Sequence, residues 1–188
     1  MRAAATLFRR NGYAATGINE IAELAGAPKG SLYHYFPEGK DQIGEAAVRF
    51  AGKLVLTSLE KLEGDHKTAA AMMQAYCRLL AGWMAKSGFR DGCPISTTLL
   101  ESAPQSPGIA LAGREAFAAW QAVIARALLR DGFSKAEARR LSAFAISAME
   151  GALILARVES SGEPIEHVAK SLAIVLQKQA PSRRRAVR

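Results

Sequence analysis

Apolar residues recur at intervals of three and four over residues 40–62, 67–87, 108–131, 134–160 and 164–179, and alternating β-branched runs are missing. A chain patterned this way buries its apolar stripes by packing helix on helix, so the expected fold class is all-α. The punctuation agrees. Glu63-Gly64-Asp65, Ser87 to Gly92, Pro104 to Gly108, Asp131-Gly132 and Ser161-Gly162 each join a stop signal to a restart. Ser134 with Glu137, three residues on, predicts a capping box, and Cys93 to Ser102 predicts one more short, buried helix.

The first forty residues carry shorter elements. Ala4, Leu7 and Phe8 sit at helical spacing before Asn11-Gly12, and Ile18, Ile21, Ala22 and Leu24 repeat the pattern before Gly26. Pro28 then opens a third helix that runs to Phe36 and is broken by Pro37 and Gly39. The expected architecture is therefore a three-helix head over residues 1–46, a body of longer helices over 47–180, and a solvated, disordered basic tail over 181–188.

Two short helices joined by the tight turn Ala25-Gly26-Ala27-Pro28 form a helix-turn-helix, whose second helix lies in the DNA major groove. At 100° per residue, Leu32 and Phe36 of that helix face the core. The opposite face belongs to Gly30, Ser31 and His34, flanked by Lys29 and Tyr33. Lys29 and Ser31 are donors at a helix N-terminus, where phosphate is favoured, and Gly30 lets the backbone approach base edges. Tyr33, His34 and Tyr35 are flat, partly polar groups suited to phosphate oxygens or the thymine methyl. A helix this short cannot bury Tyr33, His34, Tyr35 and Phe36 on one face, so some of these rings must point outward.

The run Gly12-Tyr13-Ala14-Ala15-Thr16-Gly17-Ile18 and the run Leu24-Ala25-Gly26-Ala27-Pro28-Lys29-Gly30-Ser31-Leu32-Tyr33-His34-Tyr35-Phe36, followed by Lys40, resemble the DNA-binding domain of TetR-type transcriptional repressors. The resemblance covers about the first fifty residues. It implies an all-helical homodimer with one reading head per subunit and a ligand-binding body. Matched residue by residue, it places Lys29, Gly30 and Tyr33 on bases and Ser31, His34, Tyr35 and Lys40 on phosphates. Thr16, Gly17 and Asn19 match the start of the bracing helix. Gly17 stands where family members usually carry a hydroxyl that both caps this helix and touches phosphate, and glycine offers no such contact. Family sequences also generally have a polar, often basic arm before the first helix, which the resemblance implies ahead of Met1; without it the affinity would be lower.

Beyond residue 50, Asp91-Gly92-Cys93-Pro94-Ile95-Ser96 is similar to a segment of the LmrA/YxaF-like branch, which is associated with multidrug response. Met72, Tyr76, Leu80 and Trp83 on one helix and Phe117 and Trp120 on another form stripes that suit either a core or a pocket for a small hydrophobic effector. Both readings stay open at this stage. Ser142, Ala145, Ser147, Ala148, Gly151 and Ala152 form a small-residue surface that admits another helix, with Ile165, Val168, Leu172 and Val175 beside it, and a homodimer is expected there.

The net charge of +8 is distributed as +1 over residues 1–50, +3 over 51–180 and +4 on the tail, so it is the placement of side chains rather than the total that points to DNA. Two cysteines, no apolar run near 18 residues and no secretory leader lead us to expect a cytoplasmic protein that is neither membrane-spanning nor disulfide-bonded. An enzyme using Cys93 beside His66 or His167 is the competing class. No activating motif surrounds that cysteine and the histidines lack ligand spacing, so neither a catalytic residue, a metal nor a cofactor is expected. Double-stranded DNA and an effector are the expected partners. A ligand-independent regulator or an activator with the same head remains the alternative.

Overall fold

A computed structural model describes residues 1–177; the tail at 181–188 lies outside them. The described residues form nine helices: α1 (Arg2–Asn11), α2 (Ile18–Ala25), α3 (Lys29–Tyr35), α4 (Lys40–Asp65), α5 (Ala69–Lys86), α6 (Ser96–Ser102), α7 (Pro107–Arg130), α8 (Lys135–Glu159) and α9 (Glu163–Val175). The expected all-α class is found.

Local chemistry sets most of the boundaries. Gly26 closes α2 in the left-handed region at φ 62°, donating its N–H to the carbonyls of Ala22 and Glu23. The α2 N-terminus has half a capping box, since Gly17 has no side chain to offer and only the Glu20 carboxylate reaches back to the Gly17 N–H, at 2.7 Å. Ser134 and Glu137 make the complete, reciprocal box at the start of α8. Several boundaries depart from expectation: α6 begins at Ser96 rather than Cys93, α9 ends at Val175 short of 179, and α4 and α3 differ as well. α4 runs on through Gly64 to Asp65, although Glu63-Gly64-Asp65 reads as a stop. Its last turn is held from outside: Arg126 donates to Glu63 at 2.6 Å and Arg130 to the His66 carbonyl at 3.2 Å, offsetting the roughly 1 kcal/mol that a helical glycine costs. α3 is seven residues long, because Pro28 stands at its N-cap and Phe36 at its C-cap rather than within it.

α1 and α2 pack together and carry α3, while α4 reaches from this head into the body. There α4 lies along α7, α5 along α9, and α8 against both α7 and α9. α4 and α7 approach closely at Gly52, where an added Cβ would lie 2.8 Å from that of Ala116. The Trp120 indole N–H donates to the Gly52 carbonyl at 3.0 Å, so the same crossing satisfies the buried ring.

α8 is long and apolar enough, by length and composition alone, to cross a membrane. In this fold its apolar residues divide between two faces. Ser142, Ala145 and Ala152 turn inward, as do Ile165 and Leu172 of α9, and they pack within the subunit. Being buried, these five are not part of the outer surface expected from the small residues of α8 and the apolar stripe of α9. That surface is instead Phe144, Ile154, Leu155 and Val158 of α8, with Ser147 and Gly151 between them, and Ile174 and Val175 of α9.

Candidate nucleic-acid interface and effector cavity

In the head, Leu32 is buried and Phe36 half-buried against the core, which leaves Gly30, Tyr33, His34 and Tyr35 exposed. Tyr35 keeps 72% of its surface and Tyr33 57%, so both rings are free to meet a partner. His34 and Tyr35 contact edge to face at 5.3 Å. Ser31 is half-buried, and the Lys29 side chain lies outside the described residues. Gly17 and Asn19 are exposed at the start of α2. Thr16 differs from the rest: it is fully buried and its hydroxyl donates to the Gly12 carbonyl at 2.7 Å, which braces the turn after α1. Lys40 is half-buried, with Nζ donating to the Ala14 carbonyl at 3.0 Å and lying 4.7 Å from the centre of the Tyr13 ring.

The body contains a cavity of about 820 Å³ between α6, α7, α8 and the segment before α6. Leu99, Phe117, Ile146 and Leu153 form apolar walls, and Leu100, Ile154 and Val158 form its rim. Two carboxylates and one guanidinium line it as well, Glu101 of α6 and Glu150 and Arg157 of α8, together with the Cys93 thiol. A space this large with few polar groups suits an organic molecule rather than a metal or a water cluster.

Of the six residues that the stripes nominate, Phe117 lines this cavity and Trp120 stacks edge-on behind it, with centroids 5.2 Å apart. Tyr76, Leu80 and Trp120 border a crevice of about 10 Å³, room for no more than one water. Met72 is fully buried in the core. Trp83 borders both that crevice and a separate groove of about 580 Å³ with Arg9, Arg10 and Lys86. The stripes do not reach the wall residues of α6 and α8. Ser147 stands out in the sequence as a small residue, but smallness alone does not tell a helix contact from a cavity wall.

Burial pushes the Glu150 carboxyl above the ordinary carboxylate range, although Ser96 Oγ donates to it at 2.7 Å. Burial and the adjacent Glu150 push the Cys93 thiol well up, which makes it a poor nucleophile; His66 meanwhile contacts the Leu62 carbonyl, and His167 pairs with Glu163. Because the Glu150 pKa is raised on folding, its contribution to stability is present in acid and is lost as pH rises through the folded value. Glu150→Gln keeps an acceptor for Ser96 and removes that loss. Calorimetry at about pH 7.5 is expected to show a higher Tm for the variant, by about 2–4 °C per kcal/mol recovered, with the gap closing near about pH 4.

Comparison with known proteins places this geometry. Residues 1–47 match the family described as bacterial regulatory proteins, tetR family, and residues 69–171 match the C-terminal domain of LmrA/YxaF-like transcriptional regulators. The HTH-type transcriptional regulator YxaF of Bacillus subtilis is 30% identical over 95% of this chain and 93% of its own length. An HTH-type transcriptional regulator of Mycobacterium tuberculosis is 34% identical over 97% of this chain and 94% of its own. Among solved structures, regulatory protein TetR from Rhodobacter sphaeroides superposes with a TM-score of 0.82 at 24% identity, covering 93% of this chain and 95% of that one. The relatives are regulators rather than enzymes. The chain is a DNA-binding transcriptional regulator and belongs to the TetR family, with a body of the LmrA/YxaF-like kind.

Proposed function

We propose that the protein acts as a homodimeric repressor that leaves a near-palindromic operator when a small hydrophobic effector enters the cavity between α6, α7 and α8. The observation that carries the reading role is the exposed face of α3, where Gly30, Tyr33, His34 and Tyr35 stand clear of a helix anchored by Leu32. In this reading Lys29, Gly30 and Tyr33 meet bases, while Ser31, His34, Tyr35 and Lys40 hold phosphates, with Gly17 and Asn19 at the flanking backbone. Thr16 acts from within by holding the turn. The reading unit over residues 1–46 and the effector unit from 47 onward meet inside α4, a continuous helix that transmits movement between them.

A twofold operator needs two heads about 34–36 Å apart, hence a dimer. The exposed apolar face of α8 and α9 beside the cavity, with Leu155 52% and Ile174 76% exposed, supplies the surface a second copy would cover. Selection of bound sequences from random duplex DNA would supply the operator. In gel-shift titrations on that DNA, Tyr33→Ala is expected to weaken binding roughly tenfold. Lys40→Ala should lower the slope of log affinity against log salt by about one. Unchanged affinity in both variants would remove α3 and the start of α4 from the interface.

A further inference from the structure

Two of the charged side chains lining the effector cavity also touch the head. The Glu101 carboxylate accepts the Ala14 N–H at 2.6 Å and rests on Gly12, whose added Cβ would lie 2.5 Å from it. Arg157 donates from Nη2 to the Arg10 carbonyl at 3.4 Å. Asp91, next to the cavity residue Gly92, binds Arg9 at 2.7 Å and Arg10 at 3.4 Å. The end of α1 and the turn that follows it, which lead into α2 of the helix-turn-helix, are thus held by residues on or beside the cavity wall.

These ties differ in strength. At 2.6 Å the Glu101 bond is short and charge-assisted. At 3.4 Å the Arg157 contact to a neutral carbonyl is long, and an anionic oxygen would draw the same guanidinium into a shorter and stronger bond. Among the described residues no carboxylate forms a salt bridge with Arg157, so its charge is available. Glu150, two turns back along α8, is a carboxyl held above the ordinary carboxylate range by burial, which reduces its repulsion of an incoming anion.

We propose that Arg157 receives an anionic group on the effector and gives up the Arg10 carbonyl in doing so, so that the ligand class is an apolar body bearing one acidic group and the head is loosened at the end of α1. This rests on the cavity between α6, α7 and α8 being the effector site. The apolar body fills the space between Leu99, Phe117, Ile146 and Leu153, and the acid points toward the head. Arg157 is a switch as well as a contact, while Glu101 is the fixed anchor on the other side of the turn.

Two fluorescent probes that differ only in a sulfonate, 1-anilinonaphthalene-8-sulfonate and N-phenyl-1-naphthylamine, test the idea on the full chain. The wild type is expected to bind the sulfonate roughly tenfold more tightly than the neutral amine. Arg157→Ala and Arg157→Gln should erase that preference by weakening the sulfonate alone, Arg157→Lys should retain part of it, and Leu153→Trp should exclude both probes. At equal occupancy, the sulfonate should release selected operator DNA from the wild type at least several-fold more effectively than the amine. Equal affinity for the two probes in the wild type overturns the proposal even where the alanine and glutamine variants fail to fold, and so does a sulfonate preference that survives in either variant. If Leu153→Trp displaces both probes while no charge preference exists, only the role of Arg157 falls. If it displaces neither, the cavity is not the probe site and the effector reading falls with it.

Discussion

Gly30→Glu is expected to abolish operator binding at concentrations that saturate the wild type while leaving the melting temperature unchanged or slightly raised. Apart from its own helical backbone and chain neighbours, no atom of the described residues lies within 4 Å of where a Cβ on Gly30 would stand, so the fold has room for the new side chain. Replacing a helical glycine also recovers up to about 1 kcal/mol of backbone entropy. At the interface the effect has the opposite sign. A carboxylate on the groove-facing surface meets phosphates at close range, and like-charge juxtaposition of this kind costs several kcal/mol, so affinity should fall roughly a hundredfold or more. Gly30→Ala separates charge from bulk, since it adds a methyl without a charge and should cost far less. Gel-shift titration beside a thermal melt reads both quantities, and operator binding that survives Gly30→Glu would place α3 outside the groove.

Gly52→Leu is expected to give the largest loss of stability, a fall in Tm of roughly 4–24 °C. The site lies where α4 crosses α7, and even a Cβ would meet that of Ala116 at 2.8 Å. Overpacking costs about 1–3 kcal/mol, and parting the helices also removes the Trp120 hydrogen bond at 3.0 Å, leaving a buried indole N–H at a further cost of about 1–3 kcal/mol. For a chain of this size each kcal/mol lowers Tm by about 2–4 °C. Gly52→Ala should be milder, and Ala116→Gly should rescue part of it, because the clash is between two methyl groups on facing helices. A double-mutant cycle that shows no coupling between residues 52 and 116 would contradict this account of the crossing.

The helices were legible because their signals are local. Gly26, the Ser134 and Glu137 pair and the proline breaks act within a turn or two of themselves, and the structure places helix ends close to them. Gly64 misled because the contacts that carry α4 past it come from Arg126 and Arg130, more than sixty residues away. The α8 face was misjudged for a related reason. Ser142, Ala145 and Ala152 share small size with Ser147 and Gly151, but the first three are buried within the subunit and the last two are exposed. Size shows what a position can admit, and only the neighbouring helices decide what it meets.

The same division runs through the functional surfaces. By itself the sequence determined the all-helical class, the helix-turn-helix and the outward face of α3, because a short amphipathic helix with Leu32 and Phe36 inward must turn Gly30, Tyr33 and His34 away from the core. Tertiary structure alone decided that Phe117 borders a cavity while Met72 is packed solid, since empty space belongs to no helix and depends on how completely its neighbours fill it. It also decided that Glu101 reaches the turn after α1 and Arg157 the end of α1, across 87 and 147 positions of chain. No periodicity encodes such meetings, because they arise only when separately specified helices are brought to one place.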